Sequence, residues 1–211
     1  AFYADDEAKE VVNSAFLEFL WENALDPTLF PSLVELEREV VSMAAAHLNG
    51  GPEAAGTFTS GGTESILLAV VTARERAREK HPDIDRFEMI LPVTAHFAFH
   101  KAAHYFGLDK VMVPVDPQTF KADVAAIEKA ITGKTCLIVA SAASYAHGVV
   151  DPIPEIGRIA LTHDILFHVD GCIGAFVLPY YKRLGADVTD FDLSVPGVTS
   201  ISMDFHKYTF A

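Results

Sequence analysis

Two hydrophobic periods divide the chain. In its first quarter apolar residues recur at helical spacing: Leu33, Leu36, Val40, Met43 or Ala44, and Leu48 fall on one face. Residues 5–22 read as an earlier helix closed by Trp21, and a loop holding Pro27 and Pro31 separates the two. Asn49-Gly50-Gly51-Pro52 stops the second helix with residues that tolerate left-handed backbone, then a proline. A third helix runs through Ile66, Leu67, Val70 and Val71, after a segment before Thr59 that reads as a short strand.

Beyond residue 86 the period changes. Short apolar runs rich in β-branched residues stand at 87–91, 110–115, 135–140, 165–169 and 198–202. Helical stretches at 95–106, 123–131 and 153–163 lie between the first four. Continuous apolar strands alternating with helices predict an α/β fold, a mainly parallel sheet flanked by helices on both faces. Right-handed crossovers then bring the strand ends to one rim, where open α/β sheets hold ligands. Residues 183–197 carry no clear period. The expected organisation is an N-terminal helical arm over 1–50 and a ligand-binding domain over 51–211, with no internal repeat. The chain stops four residues after Lys207, so that domain reads as one part of a longer protein.

Composition narrows the classes. A net charge of -13 argues against nucleic acid as partner, because phosphate contacts need clustered Lys and Arg. The densest basic run, Arg74, Arg76, Arg78 and Lys80, is interleaved by Glu75 and Glu79 and reads as a solvated helix face. No apolar run approaches the roughly 18–20 residues of a membrane span. The residues from Ala1 to Glu7 lack the basic start of a signal peptide, though an anchor upstream stays open. Cys136 and Cys172 lie in apolar runs that read as strands; two cysteines make no disulfide framework, and the cytoplasm is the expected setting.

Four segments carry candidate chemistry. Thr59-Ser60-Gly61-Gly62-Thr63-Glu64-Ser65 opens the third helix, where Gly61 and Gly62 let backbone amides approach an anion; an ordinary capping turn is the alternative. Asp170, at the end of the run Phe167-His168-Val169, belongs on the rim, where a carboxylate favours a protonated ring nitrogen or simply forms a turn. Lys207 follows the last strand, with His206 beside it; it reads as a surface charge or as an amine that condenses with an aldehyde. His96 stands at a helix start, placed to lie over a flat ligand or to cap. His96, His100 and His104 also share i,i+4 spacing, but no cluster completes a zinc pattern, so no metal is expected.

Taken in order, the run Thr59 to Ser65, Ala95-His96-Phe97, Tyr145 to Pro152, His168-Val169-Asp170, Gly197 to Ser202 and Asp204 to Tyr208 resembles the group II pyridoxal-phosphate decarboxylase family. Within it the chain is similar to the sphingosine-1-phosphate lyase branch, bacterial members included. The resemblance spans nearly the whole chain. It implies an aspartate-aminotransferase-like large domain (fold type I), pyridoxal 5'-phosphate as cofactor, and a homodimer with sites between subunits. It makes Lys207 the Schiff-base lysine and Asp170 the partner of the pyridine nitrogen. His96 stacks on the ring with Cys172 on its other side, and Gly61, Gly62, Thr63 and His206 hold the phosphate.

The implied reaction is carbon–carbon cleavage of a phosphorylated long-chain amino alcohol to a fatty aldehyde and phosphoethanolamine. Amino-acid decarboxylation within the same family is the alternative, as is an inactive piece of either. Tyr3 and Tyr145 match tyrosines at the substrate end of the lyases. Asn23 matches an asparagine near the substrate phosphate, but Asp26 stands where those lyases carry histidine, and its charge would repel a phosphate dianion.

Overall fold

A computed structural model describes residues 2–210 of the chain. The chain runs through α1 (Asp6–Glu18), α2 (Pro31–His47), α3 (Gly62–Lys80), β1 (Glu88–Pro92), α4 (Phe97–Phe106), β2 (Asp109–Val113), α5 (Val124–Ala130) and β3 (Thr135–Ser141). It continues through α6 (Ile153–Thr162), β4 (Leu166–Asp170), α7 (Gly174–Arg183), β5 (Ser200–Ser202) and α8 (Phe205–Tyr208). All strand pairs are parallel, in the order β2-β1-β3-β4-β5. The order reverses between β1 and β3, which makes their C-terminal ends the switch point of the sheet.

Alternation along each strand builds two cores. Met89, Leu91, Leu137 and Val139 pack with Ile66 and Val70 of α3 and Phe99 of α4 on one face. Ile90, Ile138, Phe167 and Val169 pack with Ile127 of α5 and Ile153 and Ile156 of α6 on the other. This period also decides where the polar residues of β4 go. With Phe167 and Val169 claimed by one core, His168 and Asp170 point to the face of α3 and α4, where His168 meets the Phe99 ring at 5.9 Å. Ser141, Asp170 and Ser202 are neighbours in register, so β3, β4 and β5 end together on one rim.

Several sequence-based expectations need correction. The first helix ends at Glu18 rather than near residue 22, and Trp21 is exposed. Among the described residues no strand precedes Thr59, and residues 54–59 have no regular structure. Cys136 lies in β3, but Cys172 lies in the turn after β4. A helix not read from the sequence, α7, follows that turn; Pro179 inside it breaks the usual pattern. His96 precedes α4 as its N-cap, so it does not share a helical stripe with His100 and His104. The basic run stays largely solvated at Arg76, Arg78 and Lys80, with Arg76 and Lys80 reaching the exposed Asp164, while Arg74 is more covered and donates to the Phe106 carbonyl at 3.0 Å.

Asp151 fixes the geometry behind the rim. It is fully buried, and its carboxylate accepts from the amides of Ser141 and Ala122, each at 2.8 Å. Burial raises its pKa, and those two amides oppose the shift. The N-terminal segment is looser. No residue of α1 or α2 is buried, although His47 Nε2 at the end of α2 lies 3.1 Å from the Ala175 carbonyl of α7. Among the described residues no helix is long and apolar enough to cross a membrane. Ala1 and Ala211, the outer limits of the expected arm and domain, lie outside the described residues.

Candidate active site

The turns that leave the sheet rim converge. His96 follows β1, Tyr145 follows β3, Asp170 ends β4 with Cys172 just beyond, and Asp204, His206 and Lys207 follow β5. Together with Gly61, Gly62 and Thr63 at the start of α3 they line a cavity of about 400 Å³. A larger and more apolar cavity, about 800 Å³, lies between α2, α3 and β5 and shares Ser60, Gly61, Asp204 and His206. The smaller one holds Lys207, Asp170 and His96, three of the residues that carry candidate chemistry.

Each side chain is held by a traceable local cause. His96 caps α4, its Nδ1 accepting from the Ala98 amide at 3.2 Å, and its ring meets Tyr145 edge-on at 5.3 Å between centroids. Asp170 is buried, and its Oδ1 accepts from the Cys172 amide at 3.1 Å. Behind it His168 bridges two hydroxyls, Nδ1 at 2.8 Å from Ser200 Oγ and Nε2 at 3.2 Å from Ser202 Oγ. Burial pushes the His168 imidazole down to about 4, with Asp170 opposing, so the ring is neutral at pH 7. Cys172 Sγ lies 3.4 Å from Ser202 Oγ. Burial, reinforced by Asp170 and Asp204, pushes the Cys172 thiol well up, which makes it a packing surface and not a nucleophile.

The start of α3 is shaped for an anion. The Gly62 and Thr63 amides have no acceptor within their own helix, and the helix dipole is positive at this end. Gly61 has φ +154, which favours glycine. A Cβ on Gly62 would stand 2.6 Å from Asp204 Oδ1 and 3.0 Å from Cys172 Sγ, so a side chain there would close the cavity. Glu64 is turned back onto Ser60, accepting from its amide at 2.7 Å and its hydroxyl at 2.6 Å, which lowers the Glu64 pKa. Its charge is thereby held on Ser60.

Asp204 is the residue that sequence reasoning left without a role. It is 6% exposed, and its Oδ2 lies 2.7 Å from Lys207 Nζ. The available signal was a carboxylate three residues before Lys207, directly after an apolar run. Nine of the expected site residues meet in the cavity: Gly61, Gly62, Thr63, His96, Tyr145, Asp170, Cys172, His206 and Lys207. Tyr3, Asn23 and Asp26 do not line it. Tyr3 donates to Asp6 Oδ1 at 3.2 Å, Asn23 Oδ1 accepts from the Leu25 amide at 2.7 Å, and Asp26 Oδ1 accepts from the Thr28 amide and hydroxyl. Those Thr28 bonds lower the Asp26 pKa.

An amine, a buried carboxylate, an imidazole at a switch point and a glycine-opened helix start fit a flat aldehyde cofactor bearing a phosphate. Comparison with known proteins agrees. The model of the pyridoxal-dependent decarboxylase conserved domain matches residues 18–211. Sphingosine-1-phosphate lyase of Dictyostelium discoideum is 41% identical over 210 residues, covering 100% of this chain and 39% of its own length. The Arabidopsis thaliana lyase is 47% identical over 206 residues, covering 95% of this chain and 38% of its own. The solved sphingosine-1-phosphate lyase of Burkholderia pseudomallei K96243 superposes with a TM-score of 0.93 at 41% identity, over 98% of this chain and 49% of that one. The chain therefore spans less than half the length of each of these relatives. Its parallel sheet flanked by helices is the fold type I architecture that the sequence led us to expect. On the match over residues 18–211 and these relatives, the chain belongs to the pyridoxal-dependent decarboxylase family.

Proposed function

We propose that this chain is the cofactor-binding core of a pyridoxal-phosphate-dependent lyase. Its substrate is a phosphorylated long-chain amino alcohol, and its products are a fatty aldehyde and phosphoethanolamine. The observation that carries this reading is the meeting of Lys207, Asp170, His96 and the start of α3 in one cavity, in a chain 41% identical over 210 residues to a sphingosine-1-phosphate lyase.

Bound pyridoxal 5'-phosphate supplies an electron sink for the bond broken at the amine-bearing carbon. The protein supplies binding and orientation. Lys207 offers the amine that carries the cofactor, and Asp170 keeps the ring nitrogen protonated through its opposite charge. His96 and the uncharged Cys172 hold the two ring faces. Gly61, Gly62 and Thr63, with His206 at the edge, receive the phosphate on backbone amides and the positive end of α3. Tyr145, braced edge-on by His96, stands at the mouth and orients the substrate so that the bond to be cleaved is perpendicular to the ring.

The substrate end draws on residues 1–50, here read as an N-terminal helical arm, and residues 51–211 are read as the cofactor-binding domain. Phe2 donates its amide to the carbonyl of His206, which lines the cavity, at 2.8 Å, and this supports Tyr3 at the substrate end. Asn23 contacts the substrate phosphate across a homodimer interface, and the apolar residues exposed along α1 support such a partner. Asp26 is the poor fit in this set. Its carboxylate is held by Thr28, which keeps its charge on its own backbone and off the phosphate. The cytoplasm is the compartment proposed, on two free and buried cysteines.

The full-length protein, loaded with cofactor, is offered a phosphorylated long-chain base and, separately, a panel of amino acids. Release of fatty aldehyde and phosphoethanolamine in equal amounts is the expected result. Carbon dioxide from an amino acid, with no aldehyde from the base, would assign the decarboxylase reaction instead.

A further inference from the structure

Asp204 immediately precedes α8 in the N-cap position, where an aspartate ordinarily accepts from a helix amide. Here it makes no such bond. Its side chain is turned into the cavity, where Oδ2 meets Lys207 Nζ at 2.7 Å and His206 Nε2 at 3.4 Å. Both carboxylate oxygens also press on the start of α3, close enough that a Cβ on Gly62 would lie 2.6 Å and 3.0 Å from them. A carboxylate this buried costs free energy unless a cation stays with it. Lys207 and His206 from α8 contact it, and the other charged and titratable groups that line the cavity are Asp170 from β4, Glu64 from α3, His96, Tyr145 and the uncharged thiol of Cys172. Lys207 is the full positive charge in that set, and Asp170 and Glu64 add negative ones.

We propose that Asp204 is the docking place of the Lys207 ammonium when an incoming amine has displaced the lysine from the cofactor, and that this ion pair biases the exchange toward the bound amine. The inference rests on the reading of Lys207 as the cofactor lysine, and it assigns a role to a residue outside that reading. The exchange balances without an outside proton. The amine enters as an ammonium with three N–H bonds. Its nitrogen bonds the cofactor carbon that Lys207 held, and the bond from that carbon to Lys207 breaks. The three protons pass to the Lys207 nitrogen, which leaves as the ammonium that Asp204 receives. Drawing Lys207 back to the cofactor breaks this pair and leaves Asp204 buried in a cavity that Asp170 also lines. Asp204 therefore weakens attachment through the lysine relative to attachment through the substrate.

The test uses the full-length holoprotein and methylamine, which exchanges with the lysine but offers no carbon–carbon bond to cleave. After equilibration the mixture is reduced with borohydride. Mass spectrometry then gives the fraction of cofactor fixed on Lys207 against the fraction recovered as its methylamine adduct. Relative to wild type, Asp204→Asn is expected to raise the methylamine concentration for half displacement by about ten- to a hundredfold. Asp204→Glu, which keeps the charge, is expected to stay within about threefold of wild type. Should Asp204→Asn not fold, Asp204→Ser carries the same expectation as the asparagine variant. An unshifted midpoint in the neutral variants, or a glutamate variant shifted as far as they are, would overturn the proposal and leave the cofactor reading standing. Wild-type protein in which borohydride fixes nothing on Lys207 would overturn both.

Discussion

Asp170, Cys172, Asp204 and Lys207 reach one cavity from strand ends whose flanking residues are buried in two cores, whereas Tyr3, Asn23 and Asp26 stand in a segment where α1 buries nothing. The difference is one of cause. On the rim, side-chain direction follows from core packing: once Phe167 and Val169 are claimed by one face, His168 and Asp170 can only take the other. In the N-terminal segment, polar side chains satisfy their own backbone, as Asn23 does with Leu25 and Asp26 with Thr28. Phe16, Leu17, Trp21 and Leu25 meanwhile remain exposed. A single chain thus gathers the nine residues of the cavity by its own packing. The proposed substrate half depends on surfaces that this chain leaves uncovered.

The sharpest way to break this contrast is to cut side chains on both sides of it. Phe167→Ala, in the core behind the rim, is expected to cost about 3–5 kcal/mol in urea unfolding. Phe16→Ala in α1 is expected to change the unfolding of a single, undimerised copy by no more than about 0.5 kcal/mol, because its ring is exposed within one chain. Equal losses would erase the distinction.

Next in size is a pH effect from the same core. The His168 pKa is about 4 in the fold against the ordinary 6.5, because burial disfavours the charged ring. A depressed pKa gives stability that is present above pH 6.5 and lost as pH falls toward about 4. On that shift the loss is about 3 kcal/mol. Urea midpoints measured between pH 7 and 4 should show the decline, and His168→Gln should flatten it. A variant as acid-sensitive as wild type would place the effect elsewhere.

Smaller again is the effect of closing the anion-binding start of α3. Gly62→Val is expected to weaken pyridoxal-phosphate binding by about tenfold or more in an absorbance titration, since its side chain would collide with Asp204 and Cys172. Gly51→Val, with nothing within 4 Å of its added carbon, is the control and should bind as wild type does.

The smallest effect expected lies at the cavity mouth. Phe120 stacks on His147 at 4.4 Å, steadying the loop that carries Tyr145. Phe120→Ala should raise KM by about three- to tenfold with kcat little changed, and Phe120→Tyr should restore it.

Most of the rim was legible in the sequence because it follows from periods of two and 3.6. Asp170 was placed by the apolar run before it, and Lys207 by the run at 198–202. What escaped has physical reasons. In α7 an interior Pro179 disrupts the helical pattern. Cys172 continues the apolar run of β4 in sequence, yet the chain turns after Asp170 and carries it off the strand. Asp204 occupies an N-cap position, and only coordinates reveal that its carboxylate abandons the helix for Lys207. Tyr3, Asn23 and Asp26 were named from resemblance, which carries residue identity but not the surroundings that would gather them.

One experiment bears most directly on the claim that this rim is built to hold an aldehyde cofactor on a single amine. The full-length protein is incubated with pyridoxal 5'-phosphate, reduced with borohydride, digested and mapped by mass spectrometry. The phosphopyridoxyl group should appear on Lys207 and disappear from the Lys207→Ala variant. The same label on another lysine, or an undiminished label in Lys207→Ala, would contradict the claim.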